Sequence, residues 1–593
     1  MADTMTDFKK AHREVEAWLS SLGPHVEELS GQQLSAGYPR RGFLTGWRLQ
    51  VAFDRVRRLD LLLPIGFPWQ PARVALVDAP PFLTWPHVEK DNLLCLEANN
   101  FEVNPEAPAG AVAYLLGKAE EMINDLAAGK RDADFRDEFV SYWDWAADKG
   151  MRLVSLLRPE PPTRSVVLWR GQSYYLVGGS VEQLQKWLAN RSGKAPNYFE
   201  TVPACLVWLN EALVPREYPK TADALHALLT GRDAQAEALL NGLVRNQPDK
   251  TAVFIGANTA NGPALAGVLV SAPKAQKYGA RSPVIKGFRP GMIPERVLVN
   301  RYFGGGAVVR RPIERADAGW VHGRGRDARA RRLADTRVVL FGCGSLGAPI
   351  AISLAQSGVG HTTLVDFDTL SWANTGRHPL GAGQVDQYKA RALAEMLRVG
   401  FPHATFEFIV NDVETVVRKH ADVLEKADLI VAATGSWAAE SRLDAWHASV
   451  GRNVPVLYTW MEAHAVAGHA VLLAGEQASL DDGFDGTGLP NFRVTDWPGG
   501  PQALQEPACG AVYQPYGPIE AGAVSNLAGG LALEALLGEV VAPSYRLWIG
   551  TAKRLHELGG AWTPAWQADP QFREAGGYLA ERAWQSTTKA QAA

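Results

Sequence analysis

The chain has 593 residues, and its 60 Lys and Arg against 63 Asp and Glu give a formal net charge of −3. The apolar fraction of 47% and the charged fraction of 21% are ordinary for folded domains, and they exclude a wholly disordered or collagen-like chain. The length predicts several domains. The near-neutral balance excludes a basic nucleic-acid-binding surface over the chain as a whole.

The first 158 residues are predicted to form an α+β domain. A helix, a strand meander, an irregular segment around Cys95 and further helices follow one another in the apolar pattern. The predicted elements are a helix over 5–22, strands over 44–53, 58–64 and 72–77, and helices over 109–126 and 134–149.

Prolines at 159, 161 and 162 mark the start of a middle α/β linker domain, predicted over 159–325. This domain is predicted to contain a hairpin around Arg170–Gln172 and a helix over 221–240, but its sequence indicates no activity of its own. A doubly wound, Rossmann-like domain is predicted over 326–555, followed by a polar extension over 556–593. Its predicted strands are 338–341, 362–365, 405–410, 429–432 and 454–458.

The spacing of the cysteines and the composition of the N-terminus indicate in which cellular compartment the protein is expected. The four cysteines lie too far apart for a CxxC zinc motif or a disulfide scaffold: Cys95, Cys205, Cys343 and Cys509. The first residues are polar and lack an apolar signal core, so we expect a cytoplasmic protein. The uncharged run between Arg337 and Asp366 contains glycines and a proline, which predicts a buried βαβ unit and not a membrane span.

A glycine-rich loop follows the first strand of the Rossmann-like domain. Glycines there permit a tight turn and close approach to phosphate, and the next helix offers its N-terminal amides. A carboxylate after the second strand is placed to bind ribose hydroxyls. A structural glycine turn and the loop of a nicotinamide oxidoreductase are the alternatives. The candidate nucleotide-binding residues are Gly342, Gly344, Ser345, Gly347, Asp366 and Asp368.

Residues 365–377 resemble the ubiquitin-activating enzyme family and its bacterial ThiF/MoeB-like relatives. Asp-x-Asp is followed by Asn374, by Arg377 three positions later, and by Lys389. The resemblance implies ATP and Mg²⁺ as cofactors, with Arg377 and Lys389 on the phosphates in a catalytic role. A cluster of such donors suits the charge that develops on a leaving pyrophosphate. It also implies a homodimer in which Arg324 or Arg326 enters the partner's site.

One position departs from the family pattern. Gly435 stands where the family has an Asp that helps bind magnesium. Three explanations are open: Asp412 or Asp428 supplies the carboxylate, phosphates and water hold the metal, or adenylation is impaired. We predict no dedicated metal-ligand set in this chain.

Cys509 lies between a Gly/Asp/Pro-rich stretch and a helix predicted over 519–537. A thiol on a loop near a helix N-terminus is often reactive. By its position after the nucleotide domain, Cys509 resembles the catalytic cysteine of activating enzymes, which takes an acyl group from an adenylate to form a thioester. The alternative is a structural cysteine, as we expect for Cys205 and Cys343.

Cys95 lies in a second recognisable context. A proline-rich turn at 64–71 precedes Trp85-Pro86-His87, and Cys95 follows His87 by eight positions. This pattern resembles ubiquitin-conjugating enzymes, with His87 in place of their Asn. The resemblance implies that Cys95 is an acyl-carrying nucleophile and His87 an oxyanion donor or a base. The alternative is a packed histidine beside a core cysteine.

The order of these units resembles the fused ubiquitin-transferase-like proteins of bacterial CBASS antiphage islands. The resemblance implies adenylation of a protein C-terminal carboxylate, capture on Cys509, transfer to Cys95 and acyl transfer to an amine. The implied client is a cGAS-like nucleotidyltransferase or, alternatively, a ubiquitin-like protein, with the middle domain helping to hold it. We expect no membrane and no direct nucleic-acid partner. A nucleotide-binding scaffold without catalysis is the alternative from a different class, suggested by Gly435.

Overall fold

The described part of the chain divides into two units. The computed structural model describes residues 2–23, 25–53, 55–96, 104–246, 250–273, 282–289, 292–475, 478–485, 490–498, 504–505, 512–513 and 515–569. The first unit comprises Met1–Val154, Pro159–Val177 and Thr201–Glu314. The second comprises Ser155–Arg158, Gly178–Glu200 and the chain from Arg315 onward. None of the helices within these described ranges is long and apolar enough to cross a bilayer.

The N-terminal part of the first unit is a four-stranded antiparallel sheet with strands in chain order. Its elements are α1 (Ala2–Ser21), β1 (Val26–Glu28), α2 (Gly31–Gly37), β2 (Phe43–Ala52), β3 (Val56–Pro64), β4 (Arg73–Leu76), α3 (Pro108–Ala127), α4 (Asp134–Asp137) and α5 (Phe139–Ala146).

Side chains of β3 point alternately to the two faces of this sheet, and one face packs into the hydrophobic core. Leu59, Leu61 and Leu63 lie on one face, where they join the same apolar cluster as Val15 of α1 and Val112 of α3. The predicted α+β order is confirmed. The predicted helix over 134–149 is two helices, α4 and α5, which meet at a non-helical residue, Glu138 (φ −107°, ψ 27°).

The middle region forms an eight-stranded sheet in the order β11-β10-β9-β8-β6-β7-β5-β12. Strands β10 and β11, β9 and β10, and β6 and β8 pair antiparallel, whereas β8 and β9 pair parallel. The region contains β5 (Arg152–Ser155), β6 (Arg164–Arg170), β7 (Tyr174–Gly178), α6 (Val181–Ser192), β8 (Thr201–Leu209), α7 (Ala222–Arg232), α8 (Ala234–Asn246), β9 (Lys250–Thr259), β10 (Gly262–Ser271), α9 (Glu295–Gly305), β11 (Ala307–Arg311) and β12 (Ile313–Arg315).

Helices α7, α8 and α9 share one apolar core with β8, β9 and β10, built around Leu229, Leu240, Val253 and Tyr302. The predicted hairpin corresponds to β6 and β7, which are neighbours in the sheet. The predicted helix over 221–240 is broken at Asp233, whose extended backbone ends α7. Helix α6 belongs to the second unit, although it lies between β7 and β8 in sequence.

The second unit is built on a seven-stranded sheet with the order β15-β14-β13-β16-β17-β18-β22. Its elements are α10 (Ala318–Gly323), α11 (Ala328–Leu333), β13 (Arg337–Phe341), α12 (Gly347–Ser357), β14 (His361–Val365), α13 (Lys389–Gly400), β15 (Thr405–Ile409), α14 (Val413–Lys419), α15 (Ala421–Glu425), β16 (Leu429–Ala432), α16 (Trp437–Ser449), β17 (Val456–Met461), β18 (Ala467–Leu473), β19 (Thr495–Asp496), β20 (Leu504–Gln505), β21 (Val512–Tyr513), α17 (Pro518–Leu536), β22 (Ser544–Ile549), α18 (Ala552–Glu557), β23 (Ala561–Trp562) and α19 (Pro564–Ala568).

The predicted doubly wound, Rossmann-like class is confirmed. Five strands, β13 to β17, are parallel, and all five were predicted. Two antiparallel strands, β18 and β22, extend the sheet beyond them. The carboxyl ends of the parallel strands lie at one edge, where ligands of such sheets bind.

Candidate functional site

The turn between β13 and α12 is shaped by two glycines that cannot carry a side chain. Gly342 has φ +84°, and a Cβ there would lie 2.4 Å from the carbonyl oxygen of Ala433. A Cβ on Gly347 would lie 1.8 Å from the carbonyl oxygen of Gly342. Gly344 instead has open space around its Cβ position. The sequence motif therefore produces a tight loop with an open side, as a phosphate-binding loop requires.

Asp366 and His378 hold this loop in place. The carboxylate of Asp366 accepts the amide protons of Cys343 at 2.7 Å and of Asp368 at 2.8 Å. His378 Nδ1 accepts the amide of Leu380, so its Nε2–H donates to the Cys343 carbonyl at 2.7 Å. Burial raises the pKa of Asp366 and lowers the pKa of His378. Cys343 is buried, as expected of a structural cysteine.

The predicted phosphate-binding cations lie close to this loop. Lys389, the first residue of α13, forms an ion pair with Asp368 at 2.9 Å. The guanidinium of Arg377 lies 5.0 Å from the ring centroid of Tyr516, and the Tyr516 hydroxyl lies 2.6 Å from Ser345 Oγ. Tyr516, which the sequence pattern did not single out, therefore connects the loop to Arg377.

Asn374 has a local role in the described structure. Its side-chain oxygen accepts hydrogen bonds from the amide and the hydroxyl of Ser371, at 3.1 and 3.0 Å. This arrangement caps the short helical turn over Trp372–Asn374. The predicted contact of Asn374 with nucleotide stays a prediction.

A cavity of about 390 Å³ opens beside the loop. It is lined by Gly344, Ser345 and Tyr516 on one side and by the loop that contains Gly435 on the other. Together with the nearby cations, the open glycine and the volume fit a nucleotide.

Among the described residues that line this cavity, the carboxylate belongs to Glu440 and not to either of the predicted aspartates. Asp428 lies before β16, where it accepts the amide of Arg337 at the opposite end of β13 from the glycine loop. Asp412 caps α14 through the amide of Thr415. Neither lines the cavity, so the expectation that one of them replaces the missing Asp is not supported by their positions.

Glu440 is 4% exposed and reaches the loop at Gly435 from inside. Its carboxylate accepts the Thr434 hydroxyl at 2.8 Å and the Gly435 amide at 3.2 Å. Burial raises the pKa of Glu440 to about 7. The sequence pattern did not single out Glu440, whose only local signal is an acid in the first turn of the helix after β16. Within the described ranges, no group of three or more His, Cys, Asp or Glu side chains is arranged to hold a metal ion.

In the first unit, the structure brings His87 and Cys95 together through the backbone. The Cys95 amide donates to the His87 carbonyl at 2.9 Å. The His87 backbone is in the left-handed region (φ +57°), and its amide donates to the Tyr142 hydroxyl at 3.0 Å. The His87 ring places Nε2 2.8 Å from Asp134 and Nδ1 3.8 Å from Glu138. Carboxylates therefore orient this ring, and its catalytic role stays a prediction.

A third carboxylate, missed by sequence reasoning, lies beside the Cys95 thiol. Glu89 Oε1 is 3.8 Å from Cys95 Sγ, and Arg41 and Arg73 each hold Glu89 at 2.5 Å. Burial, and then the charge of Glu89, raises the pKa of Cys95 to about 11. A thiol with this pKa is mostly protonated near neutral pH, and the role of Cys95 as a nucleophile stays a prediction.

The remaining predicted residues have different outcomes. Cys509 lies outside the described residues, although the predicted helix after it is confirmed as α17. Cys205 is buried in β8, and burial raises its pKa to about 12, as for a core cysteine. Arg324 ends α10 in the left-handed region (φ +49°). The proposed entry of Arg324 or Arg326 into a partner stays a prediction.

Two family comparisons match the two regions described above. Residues 323–534 match the ThiF family, and residues 38–151 match the Prokaryotic E2 family B. The chain is 28% identical over 222 residues to the ATP-dependent ubiquitin transferase-like protein Cap2 of Escherichia coli, covering 35% of each chain. It is 33% identical over 148 residues to the Cap2 of Pseudomonas aeruginosa, covering 24% of this chain and 25% of that one.

A third relative is the adenylyltransferase and sulfurtransferase uba4 of Emericella nidulans, which is 36% identical over 104 residues, covering 17% of this chain and 21% of that one. The chain thus spans about a third or less of the length of these curated relatives. The expected resemblance, a conjugating-enzyme-like segment before a ThiF-type domain, is confirmed.

Proposed function

We propose, from the premise that this chain joins a Prokaryotic E2 family B segment to a ThiF family domain, that it is an ATP-dependent ubiquitin-transferase-like ligase. It would activate the C-terminal carboxylate of a client protein and conjugate that protein to an amine. The observation that carries the proposal is the glycine loop held by Asp366, with Arg377 and Lys389 close to the same loop and its neighbouring strand end.

The activation step needs an acyl phosphate anhydride. A carboxylate oxygen of the client attacks the α-phosphorus of ATP, and pyrophosphate leaves. The loop amides near Gly344 would bind phosphate. Arg377 and Lys389 would stabilise the negative charge on the leaving pyrophosphate. Mg²⁺ would add charge neutralisation there. The relative named as an adenylyltransferase supports this type of reaction.

Two thioesters would then carry the acyl group. The Cys509 thiolate attacks the acyl carbonyl and AMP leaves; the Cys95 thiolate then attacks the thioester and the Cys509 thiolate leaves. A thiol with the raised pKa of Cys95 needs its proton removed in this step. Glu89, which lies beside the thiol, and His87 are the candidate bases on its loop. His87, oriented by Asp134, would also assist the final attack of the amine.

For the client we propose the C-terminus of a cGAS-like nucleotidyltransferase, primed for CBASS antiphage defence in the cytoplasm. We choose this client because a conjugating-enzyme-like segment before a ThiF-type domain resembles the fused CBASS proteins, and a ubiquitin-like protein is the alternative client. The proposed assembly is a homodimer through the ThiF-type domain. The domain limits proposed from the sequence, 1–158, 159–325, 326–555 and 556–593, are retained as proposals.

The test is intact mass spectrometry of a Cys95→Ala chain mixed with ATP, magnesium and the nucleotidyltransferase encoded beside it. We expect an adduct of client mass that dithiothreitol removes and that is absent from the Cys95→Ala, Cys509→Ala chain. A Cys205→Ala, Cys95→Ala chain is the matched control and should keep the adduct, because Cys205 is a core residue.

Two outcomes would contradict the proposal. ATP binding without pyrophosphate release would favour a scaffold without catalysis. Retention of NADH with no use of ATP would favour an oxidoreductase. An adduct with a ubiquitin-like protein but not with the nucleotidyltransferase would keep the activity and replace the client.

A further inference from the structure

A second cavity of about 700 Å³ lies in the first unit, next to the His87 loop. Four segments line it: the loop on either side of His87, the α4–α5 region, the stretch before α7, and β11. Its lining includes the aromatic residues Phe82, Phe135 and Trp145. We call it the basic cavity. The middle region, for which the sequence predicts no activity of its own, therefore contributes part of the lining.

The charge of the basic cavity is opposite to that of the whole chain. Five of its lining residues are Lys or Arg and one is Asp, while the chain carries a net charge of −3. Arg136 is paired with Glu211 at 3.1 Å. The other four form no ion pair with the described part of the chain: Lys90, Arg216, Lys220 and Arg310. Concentrated unpaired positive charge in a concave site attracts an anionic ligand and repels an ammonium.

Aromatic rings supply the apolar part of the same cavity. Trp145 is 41% exposed, and its ring centroid lies 6.1 Å from that of Phe82. Phe135 completes the aromatic lining. A site with both cations and exposed rings fits a ligand that carries acidic groups beside an apolar side chain.

Tyr142 connects the basic cavity to the loop that contains His87 and Cys95. Its ring packs on Phe135 at 4.7 Å and on Trp145 at 5.4 Å, while its hydroxyl accepts the His87 amide. The carbonyl of His87 in turn accepts the Cys95 amide. A chain segment attached to Cys95 therefore has the cavity next to its attachment point.

We propose that the basic cavity binds an acidic segment of the client that carries an apolar side chain and lies just before the C-terminal residue held by Cys95. This inference rests on the proposed function and names the recognition site for its protein substrate. Specificity would come from the charges, and orientation from the aromatic wall.

The lining favours a peptide over a nucleotide. None of the described residues that line the basic cavity is a glycine, whereas Gly344 and Gly435 line the cavity of the second unit. No glycine-rich turn therefore brings successive backbone amides to one phosphate. Its cations are instead side chains from four separate stretches of chain, and exposed Lys90, Arg216 and Lys220 can follow an extended acidic segment.

The test is fluorescence anisotropy with the full chain, without ATP. The probe is a fluorescein-labelled octapeptide that alternates glutamate with leucine or phenylalanine and ends in two glycines. We expect it to bind, and to bind at least about tenfold more weakly at 300 mM than at 50 mM NaCl, because exposed charges are screened. A peptide with glutamine for glutamate should bind at least about tenfold more weakly at 50 mM.

Charge reversal locates the binding site. The double substitution Arg216→Glu, Lys220→Glu should weaken the binding of the acidic peptide at least about tenfold. The matched control, Lys9→Glu with Lys10→Glu, makes the same charge change on exposed positions of α1 and should stay within about twofold. Trp145→Ala should weaken binding, whereas Trp69→Ala, at an exposed tryptophan outside the cavity, should not. Unchanged thermal unfolding of each variant confirms its fold.

Three results would overturn the inference: no binding of the acidic peptide, equal binding of the glutamine peptide, or equal effects of the two charge reversals. Binding of a fluorescent ADP that only the Arg216→Glu, Lys220→Glu chain loses would assign the cavity to nucleotide instead.

The peptide assay needs no thioester, so it tests the cavity separately from the proposed activity. Peptide binding without an adduct on Cys509 or Cys95 contradicts the proposed activity alone, and an adduct without peptide binding contradicts the cavity assignment alone.

Discussion

The glycine loop and the Cys95 loop are both fixed by hydrogen bonds, but different groups make them. At the glycine loop, Asp366 accepts the backbone amides of Cys343 and Asp368, and a side chain on Gly347 would collide with the Gly342 carbonyl. Charged side chains dominate beside Cys95, where Glu89 is held by two arginines. The first site should therefore be sensitive to added volume, and the second to changes of charge and pH.

The largest effect is expected from Gly347→Ala. The added methyl would lie 1.8 Å from the Gly342 carbonyl, so the loop must move. We expect a cost of about 3 kcal/mol or more in the free energy of unfolding. ATP–pyrophosphate exchange should fall below detection. The control Gly530→Ala, in α17 with no atom near the new methyl, should keep both exchange activity and stability.

Arg377→Ala tests the charge beside the loop without adding volume. We expect the exchange rate to fall about 10²–10³-fold, a usual effect of losing one group that stabilises transition-state charge. Thermal unfolding should not change. Arg391→Ala is the matched control, because Arg391 is exposed and pairs only with Glu395 in its own helix. Equal rates for both variants would show that Arg377 does not act in catalysis.

Glu89→Gln should make Cys95 more reactive as a free thiol. The negative charge of Glu89 raises the pKa of Cys95, so its removal lowers that pKa and increases the thiolate fraction below about pH 10. We expect alkylation of Cys95 by iodoacetamide at pH 8 to accelerate about 3–10-fold. Peptide mapping reports the rate, with exposed Glu120→Gln as control. A slower rate would mean that Glu89 promotes deprotonation of the thiol.

Glu440→Gln should give a smaller effect, on stability. The folded pKa of about 7 lies above the ordinary value of 4.5, so the folded state binds more protons between these limits. Wild-type stability should therefore fall as pH rises from about 4.5 to 7, since the buried carboxylate ionises at a cost. The variant should melt about 1–3 °C higher at pH 8 and the same at pH 5, unlike exposed Glu425→Gln.

Short-range patterns in the sequence were sufficient for the glycine loop and the parallel strands. The motif Gly342–Gly347 follows its strand directly, and the spacing of His87 and Cys95 is also local. These features need no knowledge of distant parts of the chain, because a turn and a strand end are defined by neighbouring residues.

Contacts between distant residues could not be predicted from one sequence. Tyr516 meets Ser345 across 171 positions, and Tyr142 meets His87 across 55. Nothing in the local pattern distinguishes these two tyrosines from the other aromatic residues of the chain. The antiparallel strands β18 and β22 were missed for a similar reason, since their place in the sheet depends on partners and not on periodicity.

The interval from His87 to Cys95 sets a limit on chain length. The Cys95 amide donates to the His87 carbonyl, and the Glu89 amide donates to the Leu93 carbonyl. These backbone hydrogen bonds pair the two ends of the interval with each other. Substitutions within it change side chains and leave this pairing possible. An insertion or deletion of one residue would shift every pair and turn the thiol to the other side. Along this stretch, homologues should tolerate changes of residue but not of length.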